Sequence, residues 1–196
     1  MDINERIARR VRDLRSERGY SLDTLAERSG VSRSSISLIE RAQTSPTANV
    51  LDKLATALDV TLASLFDERA TQDAPPSPVA RRADQPVWTD PASGYVRRNL
   101  SPAEPSPLQI VEVHFPAGER VAYDTGAREN EVWQQIWVID GTIDITLSET
   151  TWRLDAGDCL AMRLDQPIGY HNPTSATAHY LVALVTLPFV AARRTS

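Results

Sequence analysis

The spacing of apolar residues changes period once along this chain, and that change constrains the fold more than any other feature. From Ile3 to Phe66 apolar residues recur every three or four positions. The runs are Ile3, Ile7, Val11 and Leu14, then Leu22, Leu25 and Ala26, then Ile36 and Ile39, then Val50, Leu51, Leu54 and Leu58. That is the period of one helix face. From Pro86 onward, short runs are separated by Gly, Pro, Asn and Asp, the texture of strands joined by turns. Between the two regimes, Ala74-Pro75-Pro76-Ser77-Pro78 is extended and cannot be helical. The 196 residues are enough for two small domains.

The spacing therefore predicts a helical domain over 1–67, a proline-rich linker over 68–86 and a β domain over 87–196. In the first, Gly19 stops the opening helix, Ser21 caps a second, and Gly30 permits a tight turn. Ser32 caps a third helix, Pro46-Thr47 opens a fourth, and Thr61 starts a short fifth segment ending near Phe66. In the β domain the expected strands are Leu108–Phe115, Val132–Ile139, Thr142–Leu147, Thr151–Leu154, Cys159–Met162 and Ala178–Leu187. Asp140-Gly141, between two β-branched runs, reads as a hairpin. Strands so spaced form a small sandwich or barrel. The linker, semi-rigid where prolines cluster, is where relative domain placement would vary.

Composition narrows the setting. No apolar run approaches the roughly 20 residues of a membrane helix, and the N-terminus lacks the apolar segment of a secretory signal. The single cysteine, Cys159, rules out an intramolecular disulfide framework and fits a reducing compartment. A cytoplasmic protein with no membrane partner is expected. The net charge of −5 by itself argues against binding a polyanion. Its distribution is uneven. Residues 1–45 hold nine arginines against seven acids, whereas residues 67–196 hold 11 basic and 17 acidic residues. The N-terminal part can meet phosphates that the rest repels.

Residues 21–40 read Ser-Leu-Asp-Thr-Leu-Ala-Glu-Arg-Ser-Gly-Val-Ser-Arg-Ser-Ser-Ile-Ser-Leu-Ile-Glu. Two short amphipathic segments flank a Ser-Gly-Val turn, and the second carries small polar residues on its outer face. Such a helix fits the DNA major groove. Residues 4–66 resemble the lambda-repressor-like helix-turn-helix domains of the XRE family. The resemblance is carried by Leu22, Leu25, Ala26, Gly30-Val31-Ser32, Ile36-Ser37, Ile39-Glu40 and Pro46. It implies that Ser32, Arg33, Ser34, Ser37 and Leu38 face bases and that Arg41, Gln43 and Thr44 approach phosphates. Ser21, at the start of the second helix, would offer backbone N–H groups to a phosphate. Arg33 can donate two hydrogen bonds to a guanine. The plain alternative for the serines is a solvated helix face. The resemblance also implies a partly buried ion pair between Arg15 and Glu40.

Residues 87–190 resemble a cupin barrel. Gly141 follows Gln134 by the six residues of the first cupin motif, and Gly157-Asp158 precedes Asn172-Pro173 at the spacing of the second. The ligands of that frame are missing. The first-motif histidine positions fall on Ala127 and Glu129, or on Arg128 and Asn130. The glutamate position is Gln134, and the second-motif histidine position is Ile168. Isoleucine offers no ligand and a neutral amide is a poor one, so a pocket without metal or cofactor is expected. Candidate ligand contacts are Tyr123, Arg128, Gln134, Ile136, Ile168 and Tyr170, an apolar set with a few directional polar groups. Arg128 suits a carboxylate or phosphate, or is a solvated loop arginine. Glu112 and His114 share one strand face and His179 lies on the last strand; they could meet inside the barrel as a relocated metal site, or each histidine is simply hydrogen-bonded. Trp133 and Trp137 should point away from Gln134, into the second sheet or a subunit contact. Cys159, in an apolar run, reads as a buried small hydrophobe.

The fold class expected is an all-α, five-helix, lambda-repressor-like domain plus an all-β cupin domain of the double-stranded β-helix or jelly-roll type. By resemblance, such a protein is a homodimeric transcriptional regulator that binds a double-stranded DNA operator and answers to a small-molecule effector. Two alternatives stand beside it: a metal-dependent cupin enzyme with a DNA-binding appendage, and a barrel that serves only as a dimerisation platform.

Overall fold

The computed structural model describes residues 2–66, 76–124 and 130–187. Four α-helices come first. α1 spans Ile3–Glu17, opened by a capping box in which the Asp2 and Glu5 side chains take each other's backbone N–H groups. α2 (Leu22–Ser29) starts on Ser21, whose hydroxyl accepts the Thr24 N–H, and ends on Gly30 at φ +66°, where glycine carries no steric penalty. α3 (Arg33–Glu40) is capped by Ser32 and α4 (Ala48–Ala57) by Thr47. A single 3-10 turn, Ala63–Phe66, completes the expected fifth segment. The predicted apolar faces converge: Ile7, Val11, Leu25, Ile36, Leu51, Leu54, Leu58 and Leu65 are fully or almost fully buried.

Ten strands follow: β1 (Val87–Thr89), β2 (Val96–Asn99), β3 (Leu108–Phe115), β4 (Arg120–Tyr123), β5 (Glu131–Asp140), β6 (Thr142–Leu147), β7 (Thr150–Asp155), β8 (Cys159–Arg163), β9 (Ile168–His171) and β10 (Ala178–Leu187). They form two antiparallel sheets in the orders β1-β2-β3-β10-β5-β8 and β4-β9-β6-β7. Taken alone, β3 to β10 have jelly-roll wiring, with successive strands alternating between the facing sheets except at the β6–β7 hairpin. β1 and β2 extend one edge. β1, β2 and β4 are absent from the sequence expectation, whereas β9 carries Ile168 and Tyr170 on one inward face as expected.

The Asp140-Gly141 hairpin is corrected. β5 pairs with β8 and β10, and β6 pairs with β7 and β9, so Asp140-Gly141 carries the chain from one sheet to the other. Gly141 sits at φ +81°, and a Cβ there would lie 3.0 Å from both the Ala178 Cα and the Thr177 carbonyl oxygen. The glycine serves a close backbone approach. The hairpin is instead at Ser148-Glu149, between β6 and β7.

The helical and β parts meet through a shared core and direct hydrogen bonds, so their placement does not depend on the linker alone. Phe66 lies against Trp88 (ring centroids 5.5 Å), Trp88 against Tyr95 (5.8 Å) and Tyr95 against Phe115 (5.6 Å). Asp90 accepts the Ala48 N–H at 2.9 Å, the Asn49 amide donates to the Ala122 carbonyl at 3.0 Å, and Thr61 donates to Gln109 at 2.6 Å. Asn99 reaches the Ala63 carbonyl at 3.2 Å.

Candidate DNA-binding face and barrel cavity

The turn between α2 and α3 is set by Gly30 and by Ser29, whose hydroxyl donates to the Leu25 carbonyl and accepts the Val31 N–H. That turn buries Ile36 and Ile39 and leaves the opposite side of α3 outward. Arg33, Ser34, Ser37, Leu38 and Arg41 line one open hollow there, together with Leu22. Five of the residues expected at DNA are thus brought onto one surface. Gln43 and Thr44 follow in the exposed turn. Ser32 and Ser21 also lie at helix starts, but their hydroxyls are engaged in capping. Ser32 accepts the Ser35 N–H at 3.1 Å and Ser21 accepts the Thr24 N–H at 3.0 Å.

The two arginines differ. Arg33 pairs with Asp23 at 3.1 Å, with both side chains mostly exposed. An exposed pair of this kind is worth at most about 1 kcal/mol and yields readily. Arg41 donates through Nε to the Ser37 carbonyl at 3.1 Å, which fixes its stem along the helix. Behind this face, Arg15 and Glu40 form the expected ion pair, with two-point geometry at 2.6 and 2.9 Å, and Arg15 also donates to the Tyr20 carbonyl. The Glu40 hydrogen bond raises the Arg15 pKa further above its ordinary value.

The barrel encloses a cavity of about 70 Å³. Tyr123, Gln134, Ile168 and Tyr170 line it, as expected. Ile136 is fully buried on the same strand face but packs in the core instead of lining the space, a correction to its assignment. Arg128 lies outside the described residues, as do Ala127 and Glu129. Val111, Val113, Phe115, Tyr180, Val182 and Leu184 supply most of the apolar wall. The alternation of β3 and β10 was a sufficient signal for these.

Polar groups in the cavity are few and directional. The Gln134 amide donates to the Tyr170 hydroxyl at 2.8 Å, and the Tyr95 and Tyr123 hydroxyls are 3.0 Å apart. Burial pushes the pKa values of Tyr95, Tyr123, Tyr170 and Tyr180 above the ordinary phenol value. Two charged lining residues escaped the sequence reading. Arg97, in the middle of β2, is 7% exposed, with its guanidinium 4.9 Å from the Phe66 ring centroid. Asp52, from α4, lines the same space along with Leu62 and Ala63. The helical domain therefore forms part of the cavity wall.

The cupin-motif asparagine has a structural task. Asn172 is fully buried, donates to the Phe115 and Ala176 carbonyls, and accepts from Thr174. Glu112, His114 and His179 do meet, with ligand atoms within 4.8 Å of one another, but not inside the barrel. Val111, Val113 and Phe115 take the inward positions of β3, so Glu112 and His114 face outward. His114 and His179 are cross-strand partners with stacked rings, centroids 4.4 Å apart. Partial desolvation and His179 lower the His114 pKa. Glu112 joins His179 at 3.2 Å and is also held by Arg98 at 3.1 Å. This donor set suits a divalent transition metal in kind, although Arg98 competes for its carboxylate.

Trp133 and Trp137 point away from Gln134, as expected, but onto an exposed face rather than into the second sheet. Cys159 is exposed on β8, correcting its assignment as a buried hydrophobe. Its neighbour Leu160 takes the inward position instead.

A helix-turn-helix whose second helix has a polar outer face, joined to a β jelly roll, defines a DNA-binding regulator class. Residues 11–65 match the family model described as Helix-turn-helix (HTH_3). Over 173 residues the chain is 30% identical to the HTH-type transcriptional regulator SutR of Escherichia coli (strain K12), spanning 87% of this chain and 89% of that protein. Over 64 residues it is 45% identical to the HTH-type transcriptional regulator SinR of Bacillus subtilis (strain 168), covering 32% of this chain and 58% of SinR. A solved HTH_3 family transcriptional regulator from Vibrio cholerae superimposes with a TM-score of 0.71 at 25% identity, covering 93% of this chain and 96% of that one. The chain belongs to the XRE family of HTH-type transcriptional regulators, and DNA binding comes with that membership. No helix among the described residues is long and apolar enough to cross a membrane.

Proposed function

We propose that the protein is a cytoplasmic, homodimeric, non-enzymatic regulator whose barrel binds a small-molecule effector without a metal cofactor and so changes operator affinity. In this reading Arg33, Ser34, Ser37 and Leu38 meet base edges. Arg41, Gln43, Thr44 and the start of α2 meet phosphates. The observation that carries the effector role is the cavity itself, walled by both domains. A ligand there touches the barrel and α4 together, so it can favour one arrangement of the two domains over another. Such a space also counts against a barrel that serves only to dimerise. The outer face bearing Trp133, Trp137 and Ile139 supports dimer formation, being apolar and exposed.

Selection from a random duplex pool with the full chain tests this reading. It should enrich one sequence with two half-sites about 34 Å apart. Enrichment of no sequence would overturn it. Elemental analysis of the same preparation should show no stoichiometric metal. One iron, manganese, nickel or zinc per chain would favour the cupin-enzyme alternative.

A further inference from the structure

We infer that the cavity between the barrel and the helical domain takes a small monocarboxylate with an apolar chain, anchored by Arg97. This rests on the effector reading above and gives that effector a chemical class.

The argument begins with the guanidinium. Arg97 is more than nine-tenths buried, and although its guanidinium hydrogen-bonds the Tyr95 side chain, its Nε–H meets no acceptor among the described residues. An unmet buried donor is costly, and a charged one more so. Phe66 covers one face of the group but supplies no acceptor. Arg97 lines the cavity, so an acceptor there satisfies it. A carboxylate is the matching group, because its two oxygens fit the planar fork of a guanidinium.

A second donor points to the same chemistry. The Tyr170 oxygen accepts from Gln134, which leaves the Tyr170 proton to be donated. Its raised pKa keeps that proton in place. The Arg97 and Asp52 charges act on this phenol in opposite senses. The cavity thus offers a cation and a hydroxyl donor to one anionic group, and Arg97 is the one cation among the described lining residues, so a second carboxylate would find no counter-charge there. That selects a monoanion over a dianion.

The remaining walls set the rest of the molecule. Val113, Phe115, Leu164, Ile168, Val182 and Leu184 offer only carbon. The volume of about 70 Å³ compares with roughly 10–15 Å³ for one buried water, so about five to seven non-hydrogen atoms fit. Occupancy bears on the DNA-binding part through two contacts. Arg97 stacks on Phe66, at the end of the helical domain, and Asp52 lies on α4.

Calorimetry of the full chain tests this with propionate, butyrate and isovalerate, each beside its neutral amide, and with malonate as a dianion of the same size. The best acid should bind at least tenfold tighter than its amide and than malonate. Arg97→Gln should remove that preference, and Arg97→Lys should restore part of it. If no acid outbinds its amide on the unaltered protein, the inference is overturned, whether or not the variants fold. If an acid binds through Arg97 but affinity for the selected duplex stays unchanged, the ligand class stands and the effector reading falls. A neutral or cationic molecule that alters duplex affinity while the acids fail would overturn the ligand class and leave the effector reading in place.

Discussion

The Asp90 carboxylate of the β domain accepts the backbone N–H of Ala48 at 2.9 Å, so a barrel residue helps to cap the fourth helix of the DNA-binding domain. Asp90 is almost fully buried, and its other oxygen accepts the N–H and hydroxyl of Ser93. Asp90→Ala removes three hydrogen bonds and leaves buried donors without acceptors. It should destabilise the full chain by about 2 kcal/mol, in the range for lost caps and charge-assisted hydrogen bonds. Urea unfolding checks this. An unchanged midpoint would show that the capping contact contributes nothing.

Arg15 and Glu40 tie α1 to α3 beneath the outward face of α3, with both side chains largely out of water. Removing one partner strands the other charge. Arg15→Ala or Glu40→Ala should each cost about 3 kcal/mol, and the double substitution should cost less than the sum. Base preference measured on the surviving folded fraction should not change. A double-mutant cycle with no coupling would contradict the two-point geometry.

Strands with simple alternation could be read directly from the sequence. Leu108–Phe115, Thr142–Leu147 and Ala178–Leu187 match to the residue, because apolar side chains occupy their inward positions. β2 was hidden because its inward residues are Arg97 and Asn99. Alternation of hydrophobicity cannot announce a strand whose buried side is polar. Asp140-Gly141 misled because a glycine that allows a close approach has the same local signature as one that makes a hairpin. The cavity was half legible for a related reason. The cupin frame located Gln134, Ile168 and Tyr170, but Asp52 comes from a distant helix that only tertiary packing brings to the barrel. The outward face of α3 was more accessible, since a single helix and the turn after it supply nearly all of it.

The cavity tyrosines give the protein a defined response to alkali. Burial raises the pKa of Tyr95, Tyr123, Tyr170 and Tyr180 in the folded state. A group with a raised folded pKa contributes stability that is complete below its unfolded value, here about 10, and lost as pH climbs toward the folded value. These four phenols should therefore stay protonated through pH of about 10 and ionise together with unfolding. Phenolate absorbance followed beside circular dichroism checks this. Ionisation of all four with the dichroism intact would contradict their burial.

The pairing of Arg33 with Asp23 bears on how the proposed interface reads sequence. Both side chains are mostly in solvent, so the pair costs little to break on docking. Released, the Arg33 guanidinium can reach a base edge from the first turn of α3. Arg33→Ala should then lose roughly 1–3 kcal/mol of discrimination at one position per half-site, with affinity for other sequences little changed. Arg41 sits at the opposite end of the helix, its Nε tied to the Ser37 carbonyl. Arg41→Ala should weaken every sequence alike and reduce the slope of log affinity against log salt by about 1 for each phosphate it no longer neutralises. Titrations of single-base operator variants at several salt concentrations separate the two effects. An equal loss on all sequences for both variants would place Arg33 on the phosphates.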